Sequence, residues 1–173
     1  APSEAPTDTP ADKSKAFVGR LLSPDQVVLA TAGNLDELTR LAPQAPLHTG
    51  DRIVVLPAVR PDVQQRPMIS IGANTIELDG GTGVLLGEVT DESSRLEVLY
   101  GRLIARSSAK RDSVLQLKMG PIEGSVTFGD AESTLGVDVR PDRSPGTDPE
   151  KVPSNFAVDL YVDSGEVVWK TAD

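Results

Sequence analysis

Apolar and polar residues alternate along much of this chain with a period of two, the pattern of strands that bury one face. Val114-Leu115-Gln116-Leu117-Lys118-Met119, Thr134-Leu135-Gly136-Val137-Asp138-Val139-Arg140 and Leu96-Glu97-Val98 are the clearest cases. Read this way throughout, the pattern predicts strands at 16–22, 26–30, 52–56, 68–71, 75–78, 83–89, 95–99, 102–106, 113–119, 122–128, 134–140, 157–162 and 166–170. Asn74, Asp79-Gly80-Gly81, Gly129-Asp130 and Ser164-Gly165 stand between them, all residues that favour turns. One stretch also fits a helix. In Asn34-Leu35-Asp36-Glu37-Leu38-Thr39-Arg40-Leu41 the leucines fall at helical spacing, Asn34 and Glu37 suit a capping box, and Pro43 would stop it. Helix and irregular strand are equally compatible with that segment. The expected architecture is all-β: a sandwich or solenoid-like stack of about ten to thirteen short strands with at most one short helix.

A short motif recurs in this pattern: glycine, a polar residue, then an apolar one. It occurs at Gly19-Arg20-Leu21, Gly87-Glu88-Val89, Gly101-Arg102-Leu103, Gly124-Ser125-Val126 and Gly165-Glu166-Val167, with Gly50-Asp51-Arg52-Ile53 one residue longer. Glycine supplies positive φ at a corner, after which alternation resumes. Gly50, Gly80, Gly101 and Gly165 are therefore expected to be structural turns. The spacing is too irregular for a strict solenoid repeat.

Composition sharpens the picture. The chain has 173 residues, enough for one core without disulfides or metal. Aromatic residues make up only 3%, so the core must be built from Val, Leu and Ile, which favour pleated surfaces. Residues 1–15 (APSEAPTDTPADKSK) contain no branched aliphatic side chain. They cannot bury enough to offset their ordering entropy and read as a flexible linker ahead of a single domain at 16–173. The net charge is −9, and residues 130–173 carry ten acids against four bases, an excess read as solubilising. Nucleic acid is excluded as a partner, since its recognition needs a basic footprint. With no cysteine, structural disulfides, thiolate catalysis and cysteine-held zinc are excluded as well. No apolar run approaches the ~20 residues that cross a bilayer as a helix. Without an initiating Met or a signal peptide, the chain reads as an excised piece whose membrane anchor lies elsewhere.

Gly50-Asp51-Arg52-Ile53, Ile76-Glu77-Leu78-Asp79-Gly80 and Leu96-Glu97-Val98-Leu99-Tyr100-Gly101-Arg102-Leu103 follow one another in an order that resembles FecR-like domains. In those domains a "G-D-x-apolar" strand start leads to an "apolar-x-L-x-D-G" hairpin and later to an "L-x-V-x-x-G-x-V" strand pair. Leu160-Tyr161-Val162-Asp163-Ser164-Gly165-Glu166-Val167 is similar to a further pair of this kind. The likeness spans roughly residues 16–170. It implies an all-β domain on the extracytoplasmic, periplasmic side of a single-span bacterial membrane protein; the family's best-known members are anti-sigma regulators that relay an envelope signal. The Pro-rich inserts 57–67 and 141–153 depart from the pattern, and this chain shows neither a cytoplasmic anti-sigma segment nor a membrane helix.

The search for chemistry comes back empty. His48 is the only histidine, so a catalytic triad or a multi-histidine metal site has no material beyond it. Glu77, Glu88 and Glu97 lack a glycosidase context, and Glu97 alternates onto a solvent face. Asp79-Gly80-Gly81-Thr82-Gly83 leads into a strand, whereas a phosphate cradle leads into a helix. Asp148-Pro149-Glu150 and the pair Asp159 and Asp163 offer only generic oxygen ligands for calcium. Arg102, Arg106, Lys110 and Arg111 form a small basic cluster with Tyr100 as the only adjacent aromatic, which makes a solvated hairpin rather than a stacking platform. Trp169 shares a face with Val167 and is expected to close the core.

No enzyme activity and no cofactor are expected. The expected role is a sensory or protein-interaction domain of the cell envelope, joined to the membrane only through a helix outside this chain. Its partner would be another envelope protein, and its oligomeric state is open. A carbohydrate-binding β-sandwich module is the alternative, and it would want several exposed aromatics. Two routes to a partner stand out: an exposed strand edge, and the loop 57–67, where Arg60, Pro61, Asp62, Val63 and Arg66 make a stiff, basic prominence on an acidic protein.

Overall fold

A strand with alternating burial needs a second layer, and this chain supplies it by sending successive strands to opposite sides of one core. The computed structural model describes residues 15–23, 26–31, 37–57, 66–107, 114–142 and 155–172. Fourteen strands form there, with no helix among the described residues. They are β1 (Phe17–Leu21), β2 (Val28–Thr31), β3 (Thr39–Arg40), β4 (Pro46–His48), β5 (Arg52–Val55), β6 (Met68–Ile71), β7 (Asn74–Leu78) and β8 (Thr82–Val89), followed by β9 (Ser93–Ser107), β10 (Val114–Met119), β11 (Ile122–Phe128), β12 (Thr134–Asp142), β13 (Asn155–Ser164) and β14 (Val167–Thr171).

One layer runs β3-β2-β5-β8-β9-β10-β11-β14, and the facing layer runs β4-β1-β6-β7-β9-β12-β13. They are two halves of one curled sheet, because β9 belongs to both. Its first half pairs with β8 and, in parallel, with β10; its second half pairs with β7 and β12. The expected strands at 95–99 and 102–106 are thus a single strand of 15 residues. The fold is all-β and sandwich-like, as the alternation indicates.

The bend in β9 falls at Gly101, where φ is +93°. A Cβ there would stand 2.6 Å from the Cα of Thr82. Thr82 completes the bend: its hydroxyl donates to the Arg102 carbonyl at 2.8 Å and accepts the Arg102 N–H at 3.0 Å. The chain also crosses between layers from β4 to β5 at Gly50, from β7 to β8 at Gly81, from β11 to β12 beyond Gly129, and from β13 to β14 at Gly165. Gly50 and Gly165 take φ of +84° and +71°. At the β7–β8 crossing Gly80 lies in the turn, and the left-handed residue is its neighbour Gly81 (φ +81°).

The core between the layers is aliphatic. Leu21, Leu47, Ile53, Ile69, Ile76, Leu86, Leu96, Leu103, Leu115 and Leu117 are fully buried. Each such side chain contributes roughly 1.5–3 kcal/mol. Four of the few aromatic rings lie over glycines: Tyr100 on Gly83, Trp169 on Gly124, Tyr161 on Gly136, and Phe156 on Gly120 across the layers. A ring laid over a bare strand glycine covers backbone that would otherwise be exposed.

Three expectations need revision. The helix considered at 34–41 is absent from its described part. Thr39–Arg40 instead pairs with β2, with the Leu41 N–H on the Val28 carbonyl at 2.9 Å, because this edge offers free backbone partners that a marginal two-turn helix cannot outbid. Pro141 is not in a loop but inside β12, opposite Phe156; the pairing of β12 with β9 has already ended at Val139, so the missing N–H costs no ladder bond. β3 realises the irregular-strand alternative for 34–41, whereas β4, three residues long, was not foreseen. The proposed linker lies outside the described residues except for Lys15, whose Nζ is 3.4 Å from an Asp51 carboxylate oxygen.

Candidate functional site

The edges of the two layers are finished very differently. On the N-terminal flank the outermost strands are β3 and β4, very short, and β4 begins with Pro46. Short length and proline both discourage further pairing. On the C-terminal flank the outermost strands are β14 and β13. β13 has 10 residues, Asn-Phe-Ala-Val-Asp-Leu-Tyr-Val-Asp-Ser, with neither lysine nor proline. Its only partner among the described residues is β12.

Register fixes what β13 presents. Val162, Leu160 and Val158 stand opposite Leu135, Val137 and Val139, which are buried, so these side chains of β13 point to the core side. Phe156 and Val158 reach that core, but Leu160 and Val162 remain 36% and 50% exposed, with no further strand over them among the described residues. Trp169 and Val167, on the facing edge strand β14, are half-buried against the same core. The sandwich is open along this flank, and its apolar interior reaches the surface between β13 and β14.

The outer face of β13 is polar. Asp159 pairs with Arg140 of β12, which also approaches Asp138 at 3.9 Å; Asp138 in turn binds Arg102 of β9 at 2.9 Å. The Asp138 carboxylate raises the Arg102 guanidinium above its ordinary range through a hydrogen bond and its charge. Arg106 meets Glu77 at 3.0 Å. The described part of the basic cluster is therefore neutralised strand by strand; Lys110 and Arg111 lie outside the described residues. Exposed pairs of this kind contribute roughly 0–1 kcal/mol each, so they order the face more than they hold the fold.

The other site residues fall as follows. Arg60, Pro61, Asp62 and Val63 lie outside the described residues. Arg66 Nε sits 2.6 Å from Asp79 Oδ1, in charge contact though not aligned as a hydrogen bond, so its charge is answered by the β7–β8 corner. Gly50 and Asp51 form a closed turn: the His48 N–H donates to Asp51 Oδ2 at 2.8 Å and the Asp51 N–H to the His48 carbonyl at 3.1 Å. His48 Nδ1 is 3.6 Å from the same carboxylate. Glu97 pairs with Lys118 at 2.9 Å on the outer face of the first layer. A shallow depression of about 250 Å³ on that face is floored by Gln116 and Ser125 between Glu123 and Lys170. No group of three or more potential metal ligands occurs among the described residues, and no helix there is long and apolar enough to cross a membrane.

Comparison with family models, curated proteins and solved structures gives no match. The site therefore stands on its geometry. Alternation placed β13 correctly, but it could not show that this strand is the outermost one. The available signal was negative: 155–164 has neither proline nor lysine, and nothing local says that the strand after it joins the other layer.

Proposed function

We propose that this chain is a non-enzymatic protein-interaction domain of a FecR-like protein of the bacterial cell envelope, and that it engages its partner along β13. The observation that carries the reading is the ten-residue edge, unblocked by lysine or proline, beside Leu160 and Val162 left uncovered on the core side. An incoming extended segment gains backbone hydrogen bonds from such an edge and specificity from alternate side chains. The family reading rests on the sequence resemblance alone, and the hairpins it implies are not formed among the described residues: β7 does not pair with β8, nor β13 with β14. Gly50-Asp51, Asp79-Gly80-Gly81 and Gly101 occupy three of the places where the chain passes from one layer to the other. The carbohydrate-binding alternative has less support. The most exposed rings, Phe17 and Tyr161, belong to β1 and β13, which four strands separate in their layer, so they form no common platform.

The test is capture of partners from a bacterial envelope fraction with the wild-type chain beside Leu160→Lys. A specific envelope protein should be retained by the wild type and lost by the variant, while the two have matching circular dichroism. Equal retention by both would remove β13 from the reading.

A further inference from the structure

Resting on that reading of β13, we infer that the edge is self-complementary and that its occupant is β13 of a second copy of this chain, paired antiparallel about a two-fold axis through Leu160. To continue the layer with both cores on the same side, core-facing residues must oppose core-facing residues, which restricts the register to steps of two. Centred on Leu160, the pairing sets Leu160 against Leu160, Val158 against Val162, Asp159 against Tyr161, and Ala157 against Asp163 of the second copy. No acid stands opposite an acid. Moved one step towards the N-terminus of β13, the register sets Asp159 against Asp159; moved one step the other way, it sets Asp159 against Asp163 twice. Directly opposed like charges destabilise a strand pair, so of the two registers that overlap nine residues, charge selects the one centred on Leu160.

The same pairing covers the surface that the monomer leaves open. Leu160 and Val162, 36% and 50% exposed, become interior positions of a continuous double sandwich. A two-fold axis through β13 also makes the interface isologous, so it closes at two copies and does not propagate as a fibre. One strand pair and a few apolar side chains make a small interface, which predicts association on the order of 10–100 µM. Each copy carries a net charge of −9, so long-range repulsion opposes the dimer and added salt should strengthen it. An interface with a basic partner would show the reverse.

The chain contains no cysteine, which makes single-cysteine crosslinking unambiguous. Leu160→Cys should oxidise to a disulfide-linked dimer. Ala157→Cys and Asp163→Cys, both at exposed positions, should stay monomeric alone, since equivalent positions lie roughly 20 Å apart at ~3.3 Å per residue. Mixed together, they should give a crosslinked heterodimer. Sedimentation equilibrium of the wild type should show a monomer–dimer equilibrium, tightened by sodium chloride and weakened at least about tenfold by Leu160→Lys. The exposed pair keeps the test intact even if Leu160 variants unfold. A wild type that sediments as a monomer to about 0.5 mM, far above the expected constant, overturns the inference, as does a mixed pair that crosslinks no faster than its single members. If that happens while Leu160→Lys still loses an envelope partner, the edge serves a different protein and only the homodimer falls. A dimer with no envelope partner would uphold the inference and remove the partner from the proposed function.

Discussion

Gly101 and Ser133 show how much of this fold depends on single atoms at the crossings. At Gly101 two demands coincide: a φ of +93° that side chains rarely adopt, and no room for a Cβ against Thr82 and the Gly81 carbonyl. Gly101→Val should cost more than about 3 kcal/mol, combining backbone strain with overpacking. In a domain of this size that lowers Tm by roughly 8 °C or more, measurable by thermal denaturation. Ser133 is buried where two crossings nest. Its hydroxyl donates to Asp130 Oδ1 at 2.7 Å and accepts the Glu166 N–H at 3.0 Å. The Ser133 hydroxyl, together with the backbone N–H groups of Glu132 and Ser133, holds the Asp130 carboxyl below its ordinary value. A carboxyl lowered in the folded state adds stability above its unfolded pKa, and that stability is lost as pH falls through the folded one. Ser133→Ala should therefore raise the Asp130 pKa, as read by NMR titration, and shrink the loss of stability that acid brings.

At the scale of elements, period-two alternation placed nearly every strand of four residues or more to within two residues, because an aromatic-poor aliphatic core leaves few competing patterns. It failed in two places, each for a physical reason. β9 was split in two because Leu99-Tyr100-Gly101 breaks the alternation at the bend, and nothing local says that pairing continues across it. β3 and β4 are too short to alternate at all. The glycine rule found the crossings at Gly50, Gly101 and Gly165, and the turn residues Asp79-Gly80-Gly81 mark the crossing into β8. The glycine–aromatic contacts were invisible, since a ring on β13 finds its glycine on β12 only once register is known. Protection should follow the same hierarchy. Amides of β9, paired on both sides in each layer, should exchange slowest with deuterium, and those of β3 and β4 fastest.

For the molecule as a whole, the division at β9 is also a division of the sequence. In both layers the strands before β9 lie on one flank and the strands after it on the other. One strand is thus the surface on which both parts assemble, and among the described residues no strand of one flank pairs with a strand of the other. The chain can accordingly be treated as a scaffold of β1–β9 and an appended half, β10–β14. Cut between Ser107 and Val114, the first fragment retains the template strand and its pairing with β7 and β8, whereas the second retains hairpins with nothing to lie on. The second fragment should be unstructured alone by circular dichroism and recover strand structure when mixed with the first. Such a split would make the molecule a two-part reporter, silent until its halves meet, with the unblocked edge of β13 carried entirely by the half that arrives.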